Sequence, residues 1–173
     1  MKQILIVVDM QEDFITGALG SSGAQGVVEP IREEIARYRE KGWPVLFTAD
    51  THSPQEYATK PSQESVRMPR HCVKEEPGWQ ILPRLEPGDS PVVEKQSFLC
   101  LELPGVIGPL EQEDVIELCG VCTDICVASN ALYLRAHYPQ HPIVVLEKLC
   151  AGTTEENHRA ALAVMQSCLI DVR

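Results

Sequence analysis

Short apolar runs alternate with amphipathic stripes along the chain. Gln3–Val8 is almost continuously apolar, the pattern of a strand buried on both faces. Gly17, Gly20, Gly23 and Gly26 punctuate a loop, and Ile31, Ile35 and Tyr38 then share one stripe of a helix predicted over 28–41, with Gly42 at its C-cap. Pro44–Ala49 is a second strand-like run, followed by Pro91–Glu94, Asp114–Leu118, Pro142–Leu146 and Leu169–Val172. Helical patterns at 123–137 and 154–167 fall between the later runs. Six strands alternating with helices predict an α/β protein, a three-layer α/β/α sandwich around a mostly parallel, Rossmann-like sheet. A length of 173 residues suits one continuous core, and with no repeat or linker we read 1–173 as a single domain.

Residues 51–90 break the pattern. They hold six prolines and only a brief apolar stripe at Trp79, Ile81, Leu82 and Leu85. A long excursion of this kind in a compact domain marks function. Composition narrows the class: with fifteen basic against twenty-five acidic residues, the formal charge of −10 repels phosphate backbones and argues against a nucleic-acid partner. The opening MKQILIVVDMQEDF is too short an apolar run for a membrane span and lacks a leader cleavage pattern, so a cytoplasmic protein is expected. Seven cysteines, an odd number, do not suggest a disulfide framework, and reduced thiols are expected.

Chemistry gathers just past the strand runs, where ligands bind in parallel sheets: Asp9, Asp50, Lys95 and the thiols of Cys119-Gly120-Val121-Cys122-Thr123-Asp124-Ile125-Cys126. Cys119 ends a buried run, and it, Cys150 and Cys168 read as core-filling thiols. Cys126 lies about one turn inside a predicted helix, where backbone N–H groups stabilise a thiolate or an oxyanion. With Asp9 as proton acceptor and Lys95 as cation it would form a cysteine hydrolase site. Taken singly, Asp9 could be a turn former and Lys95 a solvated charge. A reading of another class takes Cys119 and Cys122 as a C-x-x-C thiol redox or metal-sensing pair. A second constellation is Asp50-Thr51-His52, followed by Glu64 and His71. Two imidazoles with one or two carboxylates suit Zn, Mn or Fe(II) and leave positions open for water or substrate. His137, His141 and His158 read as structural or solvated.

These motifs, in this order, resemble the isochorismatase-like cysteine hydrolases, in particular the nicotinamidase and pyrazinamidase branch. The family's V-D-x-Q-x-D-F is here Val8-Asp9-Met10-Gln11-Glu12-Asp13-Phe14, and its D-x-H and P-x-H are Asp50-Thr51-His52 and Pro69-Arg70-His71. The strand-end lysine is Lys95, and G-x-x-T-D-x-C-V is Gly120 to Val127. The resemblance implies a triad of Asp9, Lys95 and Cys126, and an oxyanion hole from the N–H groups of Cys122 and Cys126 beside a cis Val121–Cys122 peptide. It implies a divalent metal, zinc foremost with Mn or Fe as alternatives, on Asp50, His52, Glu64 and His71, and Phe14, Met68 and Val121 as substrate-facing residues. The expected activity is hydrolysis of a small carboxamide, nicotinamide foremost, or else of another small amide or ureide. A small-molecule partner is thus expected, with no membrane or nucleic acid, and a homo-oligomer is compatible. Met68 stands where the family often has a ring-stacking aromatic residue, and Glu75-Glu76 where Gly-Thr is usual.

Overall fold

A computed structural model describes residues 1–173, and its spine is a six-stranded sheet in which every pairing is parallel. The strands are β1 (Gln3–Val8), β2 (Val45–Asp50), β3 (Val92–Lys95), β4 (Val115–Val121), β5 (Ile143–Ala151) and β6 (Asp171–Val172), ordered β3-β2-β1-β4-β5-β6. Moving outward in both directions from β1 requires helices on both faces, given right-handed crossovers. The connecting helices include α1 (Glu12–Ile15), α2 (Ser22–Gly26), α3 (Val28–Glu40), α4 (Pro54–Ala58), α5 (Gln63–Arg67), α6 (Leu103–Ile107), α7 (Ala128–His137) and α8 (Glu155–Ser167). None is long and apolar enough to cross a membrane.

The stripe Ile31, Ile35 and Tyr38 is buried on α3, as its spacing predicts. Thr154 caps α8 through a side-chain bond to the Asn157 N–H. Three local departures have physical causes. The glycine-punctuated segment contains α2, started by the Ser21 side chain accepting the Ala24 N–H. β5 continues past Leu146 through polar Glu147 and Lys148, because Cys150 and Ala151 still pair with Gly120 and Val121 while β6 is too short to cover that edge. Cys168 is exposed at the end of α8 rather than in the core, because the helix turns that position to solvent while Met165 and Ile170 face inward. Cys119 and Cys150 are buried as expected, and all seven cysteines are free.

β4 also runs on to Val121, through Gly120 at φ +115, where a Cβ would overlap the Val8 backbone. Only glycine allows β1 and β4 to approach so closely there. Gly120→Ala is therefore expected to destabilise the fold by about 2–4 kcal/mol, read as a lower urea midpoint at unchanged m-value.

Candidate active site

Register alone aligns the reactive residues along the carboxyl edge of the sheet. Asp50 pairs with Lys95 across β2 and β3, while Asp9 and the Cys122–Cys126 segment follow the neighbouring strands β1 and β4. Asp9 turns out of β1 at φ +49, a left-handed conformation that Asp tolerates. Thr48 then fixes its carboxylate: the Thr48 hydroxyl donates to Oδ1 at 2.6 Å and accepts the Asp9 N–H at 3.2 Å. The other oxygen, Oδ2, lies 2.8 Å from Lys95 Nζ. Lys95 Nζ also reaches Asp50 Oδ1 at 3.1 Å, Ser97 O at 2.9 Å and Cys126 Sγ at 3.5 Å. Asp9, Asp50, Lys95 and Cys126 are all buried.

Burial dictates the resting charges. It pushes the Asp9 carboxyl above the usual carboxylate range, with the Asp50 charge adding to it and Lys95 opposing. Burial would strip Lys95 of its proton, but Asp9, Cys126 and Asp50 hold the ammonium well above its ordinary range. Burial, followed by the Asp9 charge, pushes the Cys126 thiol far up. The site thus brings a thiol held from ionising, a firmly protonated amine and a carboxyl of raised basicity into one buried group.

Cys126 sits in a turn wider than the regular helix expected over 123–137. Val127 N–H bonds Cys122 O at 3.1 Å and Ala128 N–H bonds Thr123 O, each five residues back. Side chains hold the turn open: Thr123 Oγ1 bonds His158 Nδ1 at 2.8 Å, and the Asp124 carboxylate accepts the Thr153 N–H at 2.8 Å and its hydroxyl at 2.6 Å. The Val121–Cys122 peptide is cis. Asn130, four residues after Cys126, donates to Cys126 O at 2.7 Å and to Phe98 O at 3.1 Å, and accepts the Cys100 N–H at 2.9 Å.

The second cluster adjoins the first through Asp50, whose Oδ2 lies 3.1 Å from His52 Nε2 and 3.4 Å from His71 Nε2. Glu64 Oε1 completes it at 3.4 Å from His71 Nε2 and 3.8 Å from His52 Nε2. One ligand atom from each of the four residues lies within 4.8 Å of the others. Both imidazoles are anchored from behind: His52 Nδ1 bonds Glu56 at 2.9 Å and His71 Nδ1 bonds Pro69 O at 2.7 Å. His71 Nε2 is buried without a hydrogen-bond partner. An orphaned inward nitrogen, two carboxylate oxygens and a second imidazole fit a divalent cation. Burial lowers both imidazoles, but Asp50 and Glu64 more than reverse this, raising His52 to about 10 and His71 to about 9. Burial opposes it, but the neighbouring His52 and His71 imidazoles, with Lys95, hold Asp50 well below its usual range.

Between the clusters opens a cavity of ≈ 280 Å³, with Phe14, Leu19, Met68, Phe98 and Ile125 among its walls, and Cys122, Cys126 and Glu64 also lining it. Phe14 also packs its ring edge on His71, centroids 5.6 Å apart. Val121 is not part of the wall: its side chain is buried because the β4–β5 ladder continues through it to Ala151. Cys119 is packed inside the sheet with its thiol pushed far up by burial, whereas Cys122 lines the cavity, its thiol raised by burial to about 12. The two thiols therefore occupy different environments, and neither is in a disulfide.

Thr48, Glu56 and Asn130 carry no signal that sequence reasoning used. Thr48 is one residue of an apolar run, Glu56 is one acid among many, and Asn130 is recognisable only as a polar residue one helical turn beyond Cys126. Gln11 and Asp13 were quoted only as part of a motif, and the structure explains both. Gln11 holds the Asp50 backbone with bonds of 2.7 and 2.8 Å, and Asp13 accepts the Cys72 N–H at 2.8 Å beside His71.

The fold and these geometries describe a hydrolase built on a parallel three-layer α/β sheet, with its site at the carboxyl edge of that sheet. The chain belongs to the isochorismatase family, whose domain model matches residues 3–173. It is 24% identical to a nicotinamidase of Schizosaccharomyces pombe over 97% of this chain and 91% of that protein. The crystal structure of a Pyrococcus horikoshii pyrazinamidase in complex with zinc superposes with a TM-score of 0.85 at 27% identity, covering 100% of this chain and 99% of that one. A streptothricin hydrolase of Streptomyces noursei is 31% identical over 75% of this chain and 43% of that protein.

Proposed function

We propose that this amidohydrolase cleaves a small heteroaromatic carboxamide, nicotinamide foremost, to the carboxylate and ammonia through a thioester on Cys126. The observation that carries the reading is the double use of Asp50, with Oδ1 3.1 Å from Lys95 Nζ and Oδ2 3.1 Å from His52 Nε2. One carboxylate thereby joins an acid–amine–thiol group to a metal-type centre beside an apolar cavity. Relatives described as nicotinamidase and as pyrazinamidase with zinc support both the amide and the metal.

In this mechanism Asp9 takes the Cys126 proton as the sulfur attacks the amide carbon. The N–H groups of Cys122 and Cys126 face the oxygen that becomes negative, and Lys95 compensates charge on Asp9 and sulfur. Asp9 returns the proton to the departing nitrogen, so ammonia leaves and a thioester remains. Water then adds to the thioester with Asp9 as base, releasing the acid and restoring the thiol. Asp50, His52, Glu64 and His71 would hold the cation, zinc foremost, which supplies a Lewis-acidic position for a ring nitrogen. Phe14 and Phe98 exclude water from the ring, and Met68 offers a flexible thioether rather than a stacking plane.

Purified protein supplied with zinc is expected to release ammonia from nicotinamide and to lose that activity after chelation, recovering it with added zinc. No ammonia from nicotinamide, with turnover of another amide or a ureide in the same panel, would select the second reading of the substrate. Met68 and the streptothricin hydrolase relative are what favour that alternative. Glu56→Ala frees His52 Nδ1 and is expected to weaken zinc affinity about 10–100-fold in a competition titration.

A further inference from the structure

A second cavity, of ≈ 330 Å³, opens directly beyond the first and shares Ser21, Ala151, Gly152 and Thr153 with it. Its character is different. The inner walls are mainly apolar, whereas Ser22, Thr154, Glu155 and His158 are among the residues found only in the outer wall. The imidazole of His158 is only 8% exposed, and its Nδ1 is taken by Thr123 Oγ1 at 2.8 Å. Its Nε2 makes no hydrogen bond to the protein, and the largely buried His158 is one of the residues lining this wall. Gly152 makes the approach possible, since a Cβ there would lie 2.8 Å from His158 Cβ. Neither cavity has a lysine or arginine in its wall; the charged wall residues are Glu64 inside and Glu155 outside, the latter held by Arg159 at 2.8 Å.

We infer that Ser21, Ser22, Thr153 and His158 form an outer subsite for a polar arm on the substrate, a hydroxyl or a protonated amine but not an anion. The inference rests on the amidase reading above. The amide and its ring occupy the inner cavity against Cys126, and the arm passes Gly152 into the outer one. A bare ring amide would leave the outer subsite to water. The missing cations make a carboxylate or phosphate arm unfavourable, in keeping with the acidic charge of the chain. Through Thr123 the same imidazole braces the turn that carries Cys126, so a filled subsite also bears on the nucleophile's support.

The test compares nicotinamide with nicotinamides carrying an aminomethyl, hydroxymethyl or carboxymethyl group at each free ring carbon. At least one amino or hydroxyl arm is expected to raise kcat/KM about tenfold over nicotinamide and over its carboxymethyl counterpart. Ser22→Trp, which fills the outer cavity from an exposed position, is expected to bring that ratio back towards unity. Arms that give no gain, or a gain that survives Ser22→Trp, would overturn the subsite while leaving the amidase reading intact. If none of these amides is hydrolysed, the nicotinamide reading falls by itself, and the subsite is read from dissociation constants on the zinc-loaded Cys126→Ala protein. Equal constants for bare and extended amides there would overturn it.

Discussion

Cys126→Ala is expected to reduce amide turnover by about 10⁴-fold or more while leaving substrate binding within a small factor. The sulfur is the only atom at the junction of Asp9, Lys95 and the cavity that can form the thioester, and the loss of a small buried thiol leaves little space to collapse. Turnover and calorimetric binding measured on the same preparation check this; activity that survives the change would sink the mechanism. The wild-type pH profile carries a linked expectation. In the proposed mechanism Asp9 works as the ionised base, and burial raises its pKa. Activity is therefore present above that raised pKa and is lost as pH falls through it, so the acid limb of kcat/KM should lie above the ordinary carboxylate range. A limb at or below the unperturbed value near 4 would contradict the assignment.

Lys95→Met should have the largest combined effect on stability and rate. The ammonium is 2% exposed and lies 2.8 Å from Asp9 and 3.1 Å from Asp50. Removing it leaves two buried carboxylates facing each other, and a loss of about 3–5 kcal/mol of folding stability is expected at neutral pH. With the opposing cation gone, the Asp9 pKa moves higher still. The acid limb of any residual activity must then shift to higher pH, whereas a purely structural role for Lys95 would lower activity without moving it. Urea unfolding and a pH–rate profile of the variant read the two effects separately.

Much of this architecture is legible in the chain because its strands are buried on both faces. Such strands must be continuously apolar, and the first three runs are seen within a residue of their true limits. Legibility fails where partner strands, not composition, set the limits. β5 continues through Glu147 and Lys148 because β4 still pairs with it, and β4 itself continues through a glycine that only the nearness of β1 explains. Cys168 was misjudged for a related reason: residue type favours burial, but helix phase decides which way it faces.

The sequence by itself determined the reactive inventory. An acid, a lysine and a cysteine past separate strand runs, with D-x-H and a later histidine, suffice to name a family and its chemistry. Tertiary structure alone decided how these groups act on one another. Asp50 serves the lysine with one oxygen and the histidines with the other, and Thr48 and Glu56, from unremarkable positions, orient Asp9 and His52. It also separated Cys119 from Cys122, removed Val121 from the cavity wall, and brought His158 to an outer cavity beside α2. The physical reason is one of range. Apolar periodicity is local and survives in sequence, whereas charge coupling and cavity shape arise between segments tens of residues apart and exist only once the sheet has set their register.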